Sequence, residues 1–399
     1  MNFTFTEEQR LLEDTVRRFI ARDYTFEQRR KILASEPGWS RDVWRTFAEL
    51  GLLGLNVPED HGGLNASTVE TMLVMNALGE GMVVEPFLGS AVLATRLLSL
   101  AASTEQQAKW FPALVAGESI AAVAHAEPGS RYELSCVETR AVRDGTRYRL
   151  NGRKSAVIGG AAADVFLVSA RTTGDAGAEA GISLFLIERG APGVSVNDYA
   201  TIDARREAEI RLQDVTLPAS ARLGAEGDAY RAIEQAYDFA LAAHCADGVG
   251  AMKALLDATV EYLRTRKQFG QPIGRFQALQ HRAVDMLMYY EQAKSMSYYA
   301  AVHSSNEDRN ERRAALSAAK VMVGRAARFI SQQAVQLHGA MGMTDELNVS
   351  HYFKRLTATE IAFGDMDSHL EQFVGTMRAN ETSVGEPWDK EQKRLYAGK

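Results

Sequence analysis

The chain carries only two cysteines, Cys136 and Cys245, in 399 residues. Two cysteines build neither a disulfide framework nor a Cys-rich zinc site, so a reducing cytoplasm is the simplest expectation. Positive charge is in short supply too: 45 Lys and Arg stand against 51 Asp and Glu, a formal net charge of −6. No bulk positive field argues for nucleic acid or an anionic membrane as a partner. No uncharged apolar run reaches the roughly 18 residues of a membrane span. The apolar stretch over residues 72–98 is interrupted by Glu80, Glu85, Pro86 and Arg96, and reads as a buried helix pair. Residues 1–9 are polar and acidic, without the basic and apolar regions of a signal peptide. Also missing are a His/Cys/Asp/Glu set at metal-ligand spacing, a Gly-rich phosphate fingerprint and a recognisable Ser-His-acid triad.

What is there is an ordinary folded composition, 46% hydrophobic and 24% charged. At about 150 residues per domain the length allows two or three domains. Residues 1–118 read as helical. Thr6 and Gln9 have the spacing of a capping box, Leu11, Leu12, Val16, Phe19 and Ile20 recur at helical spacing, and Ser40 can cap a later helix. Residues 119–225 switch to strand character. Ala208, Ile210 and Leu212 alternate with polar residues, and the Asn151-Gly152 step predicts a tight hairpin turn. Residues 226–380 are helical again, with wide apolar stripes at Met252, Leu255, Leu256, Thr259 and Leu263 and at Leu316, Ala319, Val323, Ala327 and Ile330. Residues 381–399 are polar and read as a tail. The expected fold class is α+β multidomain: an N-terminal helical domain, a central β domain and a C-terminal four-helix bundle. Arg312 and Arg313 beside Glu311 read as a solvated helix face. His125, His244 and His281 read as structural or surface histidines.

Four local patterns resemble one family. They are Glu49-Leu50-Gly51-Leu52-Leu53-Gly54 with Pro58-Glu59 and Gly62-Gly63; Leu150-Asn151-Gly152-Arg153-Lys154; Arg264-Thr265-Arg266-Lys267-Gln268-Phe269-Gly270 with Pro272-Ile273; and Gln336-Leu337-His338-Gly339-Ala340-Met341-Gly342. Each alone is weak; four in register over nearly the whole chain resemble the acyl-CoA dehydrogenase flavoenzymes. The resemblance implies FAD as cofactor and α,β-dehydrogenation of an acyl-CoA thioester, as in fatty acid β-oxidation. A carboxylate would take the α-proton, and the β-hydrogen would leave as hydride. It also implies contacts to FAD, usually that of a neighbouring subunit, from Arg266, Gln268, Phe269, Gln277, Gln336, Gly339 and Ala340. A guanidinium suits a pyrophosphate, an aromatic ring an apolar part of the dinucleotide, and glycine a close backbone approach. An electron-transferring flavoprotein is the implied acceptor.

The departures from the family pattern are as informative. A Thr-Glu-Pro-x-x-Gly-Ser-Asp loop is replaced by the shorter Ala126-Glu127-Pro128-Gly129-Ser130-Arg131. A Lys-x-Trp-Ile-Thr/Ser-Asn segment is replaced by Lys154-Ser155-Ala156-Val157-Ile158-Gly159, which loses the indole and the hydroxyl. The two positions where the family places its catalytic Glu are occupied by Ala240 and by Phe363 or Ala362. Asp247, two turns beyond Ala240 on the same helix face, and Asp365, two residues past Phe363, are the nearest acids. The motifs for a neighbour's flavin are kept, while those for the chain's own site are altered. This asymmetry suggests one subunit of a heteromeric enzyme whose partner supplies the base, similar to the small subunits of the pimeloyl-CoA dehydrogenase type. Three alternatives stay open: a self-sufficient homo-oligomer with an Asp base, a same-fold flavin oxidase or monooxygenase on a non-CoA substrate, and a non-catalytic assembly protein. Fatty, dicarboxylic and steroid side-chain acyl groups all remain open as substrates.

Overall fold

A computed structural model of the chain describes residues 5–383. The first helix, α1 (Glu7–Asp23), starts as its sequence dictates. The Thr6 hydroxyl accepts the Gln9 N–H, and the Gln9 side chain accepts the Thr6 N–H. α2 (Phe26–Leu33), α3 (Arg41–Glu49) with its Ser40 cap, α4 (Thr68–Glu80), α5 (Thr95–Ala101) and α6 (Thr104–Val115) complete a helical layer. A π-helical segment, Leu88–Ala94, leads into α5. The apolar stretch over 72–98 is thereby a buried helix pair, its residues facing other helices rather than lipid.

The strands β1 (Ala121–Ala124), β2 (Arg140–Asp144), β3 (Arg147–Ile158), β4 (Val165–Arg171), β5 (Ile182–Glu188), β6 (Val194–Ala200), β7 (Arg206–Pro218) and β8 (Arg222–Leu223) form one mixed sheet. Its order is β6-β7-β3-β2-β4-β5-β8, with β1 parallel to β4. Ala208, Ile210 and Leu212 of β7 face the core. The Asn151-Gly152 step does not turn. It lies inside β3, and the hairpin reverses instead at Gly145, between β2 and β3. Two local forces explain the difference. The Asn151 side chain bonds Asp214 in the opposite strand at an irregularity in the β3–β7 register. A Cβ on Gly152 would overlap the Thr139 side chain, so the glycine serves close packing rather than a positive φ.

α7 (Tyr230–Thr265), a short hairpin of β9 (Lys267–Gln268) and β10 (Gln271–Pro272), α8 (Gln277–His303), α9 (Arg309–His338), α10 (Asn348–Ile361) and α11 (Met366–Ser383) follow. α7 is long and apolar enough to cross a membrane, but its most apolar window is 89% buried within the protein. Arg312 and Arg313 are not a solvated face. Arg312 is 3% exposed and bonds Asp238 on α7, and Arg313 bonds Glu234 on α7. The tail expected from residue 381 lies beyond the described residues from 384 onward, and α11 itself extends to Ser383.

Two glycines set how closely α4 and α7 approach. A Cβ at Gly79 would overlap the backbone oxygen of Asp247, and one at Gly250 would overlap that of Asn76. Close approach here places the middle of α7 against the helical layer. Gly250→Ala is expected to lower unfolding free energy by about 3 kcal/mol, because neither backbone can yield without moving its helix. A thermal unfolding midpoint equal to that of the parent chain would contradict this packing.

Candidate functional site

Two hollows lie where the sheet, the helical layer and the bundle meet. The outer one, of about 400 Å3, opens between strand ends and the helices α7, α9 and α10. That volume is in the range of cofactor and ligand pockets. The inner slot, of about 50 Å3, runs on between α4, the π-helical segment, α7 and α10. Ile158, Arg205, Glu207, Ala362 and Phe363 line both, so they form the throat between them. β3 reaches the slot because residue 89 is glycine: a Cβ there would overlap the Ile158 backbone oxygen.

The throat holds no carboxylate at the two expected positions. Ala240 is a buried methyl on α7 and lines neither hollow. Phe363 sits after the end of α10 at φ 61, an uncommon conformation for a bulky side chain. Its ring lies 5.9 Å from that of Tyr237 and 5.3 Å from that of His244. Lys320 of α9 holds this turn by donating to Thr359 O, Glu360 O and Gly364 O at 3.0, 2.9 and 2.7 Å. Burial lowers its ammonium pKa to about 8. The outer hollow also meets the shortened loop, where fully buried Lys154 pairs with Glu127 at 2.6 Å.

Neither nearby aspartate is free at the throat. Asp365 caps α11, its Oδ1 accepting the Ser368 N–H at 2.9 Å, and it lines neither hollow. Asp247 does line the slot, but both its oxygens face Arg355 Nη1 at 3.2 Å. Arg355 also lies 3.0 Å from Asp203, and Arg205 lies 2.6 Å from Asp203 and 3.8 Å from Asp247. Burial alone would raise the Asp203 pKa, but Arg205 and Arg355 hold it well below the carboxylate range. The slot therefore contains cations, but each is committed to a carboxylate of the chain.

Two slot residues escaped the sequence reading. Glu207 at the start of β7 is the carboxylate that lines both hollows; burial raises its pKa against the pull of Arg205, and the Tyr199 hydroxyl donates to it at 3.3 Å. His244 is fully buried on the slot wall. In sequence they look like one more strand acid and one more helix histidine. A helical count from Ala240 reaches His244 one turn on and is the only signal that was available.

The remaining site candidates gather at the far end of the bundle. β9 and β10 close on Phe269 and Gly270, at φ 54 and 80, the geometry of a type I′ hairpin. Phe269 is 88% exposed, with Arg266 and Gln268 exposed beside it and Gln277 exposed at the start of α8. Gln336 near the end of α9, and Gly339 and Ala340 just beyond it, are exposed as well. The two segments meet through the Tyr262 ring, stacked on His338 at 4.3 Å.

The residues match three successive family domains: acyl-CoA dehydrogenase N-terminal domain over 6–118, middle domain over 122–215 and C-terminal domain over 227–376. The chain belongs to the acyl-CoA dehydrogenase family. It is 29% identical to an L-prolyl-[peptidyl-carrier protein] dehydrogenase of a Serratia species, over 96% of this chain and 100% of that protein. Among solved structures, the ChsE4–ChsE5 complex from Mycobacterium tuberculosis matches with a TM-score of 0.84 and 27% identity, over 97% of this chain and 100% of that one. A structure of PigA with FAD and proline matches at 0.87 and 27%, over 94% and 99%. The family is one of FAD-containing oxidoreductases. Guanidinium and aromatic groups stand exposed on the arm, a chemistry that suits a dinucleotide. Ala156 lines the outer hollow and Ile158 the throat, at the positions where the family pattern has an indole and a hydroxyl.

The cluster around Arg355 gives two expectations. Arg355→Met leaves Asp247 with only the more distant Arg205 and Asp203 with one guanidinium of two, and should cost about 3 kcal/mol in chemical denaturation. Because the Asp203 pKa is depressed on folding, its contribution is present above the ordinary carboxylate pKa of about 4 and fades as pH falls through that value and below. Asp203→Asn should therefore flatten the acid side of the stability profile. Superimposable profiles for the two proteins would show that the cluster does not act this way.

Proposed function

We propose that the chain works in FAD-dependent α,β-dehydrogenation of an acyl thioester as one subunit of a heteromeric enzyme, whose partner supplies the catalytic base. One contrast carries the reading: the flavin arm is complete and exposed, while the throat has a phenylalanine and an alanine where a base is needed. A proton acceptor must lie within hydrogen-bonding reach of the α-carbon, and neither Asp365 nor Asp247 offers a free carboxylate there. FAD, when bound, supplies the hydride acceptor. This chain's part is to hold the dinucleotide: Arg266 can neutralise pyrophosphate, Phe269 can cover an apolar surface, and Gln268, Gln277 and Gln336 can meet polar edges. The backbone at Gly339 and Ala340 leaves room for close approach. The ChsE4–ChsE5 complex, named for two different chains, supports such an assembly. We place the enzyme in the cytoplasm, with an acyl-CoA substrate and an electron-transferring flavoprotein as acceptor.

A second reading has an observation of its own. Glu207 lines both hollows, so a self-sufficient enzyme would use it in place of an aspartate. Glu207→Gln would then abolish turnover by the chain purified alone.

The leading reading is tested on the arm. Arg266→Ala with Phe269→Ala, introduced into the complex with a second family chain, should cut retained FAD about tenfold or more while the complex elutes unchanged. Undiminished FAD in that variant complex would remove the arm from the cofactor site and overturn the reading.

A further inference from the structure

A pair of stacked rings joins the two segments that carry the flavin arm. One segment, 264–277, runs from the last turn of α7 to the start of α8; the other, 336–342, spans the end of α9 and the short turn beyond it. Among the described residues no hydrogen bond runs directly from one segment to the other. They meet at their bases instead. The Tyr262 ring lies on the His338 ring at 4.3 Å and 29°, and the Tyr262 hydroxyl donates to His338 O at 3.4 Å.

Each ring stands where its segment departs. The Arg266 N–H donates to Tyr262 O at 2.9 Å and closes α7, so the arm leaves the helix one turn beyond this ring. His338 is the last residue of α9, and Gly339 turns away from it at φ 60 and ψ −142. The imidazole is 5% exposed and is fixed by Nδ1–H, which donates to Ala334 O at 2.8 Å; a carbonyl only accepts, so Nδ1 carries the hydrogen. The flanking backbone is pressed close on both sides. A Cβ at Gly342 would come within 2.8 Å of Val335 O, and one at Gly274 within 2.8 Å of Leu263 O. Neither segment can swing about its base without parting the rings. The bundle has other means of holding together: Leu256 and Leu263 of α7 and Ile330 and Leu337 of α9 belong to one apolar core. The stack therefore adds less to forming the bundle than to aligning these two helix ends.

We propose that Tyr262 and His338 are positioning residues for the flavin: their stack aligns the 264–277 arm with the 336–342 turn, so that both meet one dinucleotide at a fixed spacing. The proposal rests on the flavin-arm reading above. Two segments already aligned avoid the ordering cost that two independent ones would incur on binding. Neither ring needs to touch the cofactor; Arg266, Phe269 and Gln336 do that. An aromatic pair contributes about twofold to tenfold to an equilibrium constant.

The test is FAD affinity, titrated on the flavin-stripped complex of the chain with its second family subunit. Tyr262→Leu should weaken FAD about fivefold, and Tyr262→Phe, which keeps the ring, should stay within about twofold of the parent. His338→Leu should weaken FAD as Tyr262→Leu does, and the double variant no more than either alone, because the rings act as a pair. A purely structural role would lower the thermal unfolding midpoint of the flavin-free complex and leave the affinity of the folded complex unchanged. Parent affinity in Tyr262→Leu, additive losses in the double variant, or a Phe variant no better than the Leu variant would each overturn the proposal. If only one Leu variant assembles, its affinity decides. If neither does while Tyr262→Phe assembles, the stack holds the fold rather than the cofactor segments, and the proposal falls. The two readings fail separately. Undiminished FAD in the Arg266→Ala, Phe269→Ala complex ends the flavin-arm reading. FAD lost there but bound at parent affinity by Tyr262→Leu ends only the role of the stack.

Discussion

The Arg355 guanidinium is completely buried, and the hollows depend on where it sits. From α10 it bonds Asp247 on α7, reaches Asp203 in the β6–β7 turn and donates to Val83 O behind α4. One side chain thus joins the bundle, the sheet and the helical layer. Burying such charges is costly unless each is paired, so the three parts have little freedom to shift relative to one another. Arg29 adds to the tie from α2, donating to Met82 O and Asp203 O. The close α4–α7 contact at Gly79 and Gly250 brings Asp247 within reach of this network.

The same cluster restricts the chemistry. Arg205 and Arg355 hold the Asp203 carboxyl pKa low, and both oxygens of Asp247 face Arg355, so neither carboxylate is open to a ligand. Arg205 extends the cluster into the throat, and Phe363 crowds it from the other side. The inner slot keeps only a small volume. At the other end of the bundle the arm is unencumbered, its basic and aromatic groups held out by the type I′ turn. On the proposed reading, a chain with a constricted throat and an open arm completes another chain's flavin site.

Much of the fold was legible because it follows local rules. The Thr6–Gln9 cap, the Ser40 cap and the alternation in β7 need only near neighbours. What was misread depended on distant ones. Asn151-Gly152 looks like a turn until Asp214 and Thr139 arrive from elsewhere in the sheet. Arg312 and Arg313 look solvated until Asp238 and Glu234 on α7 meet them. Within the site, the missing carboxylate at Ala240 and Phe363 could be read from family motifs. The engagement of Asp247 could not, because Arg355 lies 108 residues away in sequence. Glu207 and His244 became visible only once the two hollows were defined.

The central claim is that this chain serves a partner's flavin rather than its own. The most direct measurement is native mass spectrometry with flavin absorbance, on the chain alone and on the chain co-expressed with a second acyl-CoA dehydrogenase. The account predicts a colourless chain alone and a heteromer with about one FAD for every two chains. One FAD per chain in a homo-oligomer of this chain alone, reduced by an acyl-CoA, would contradict it.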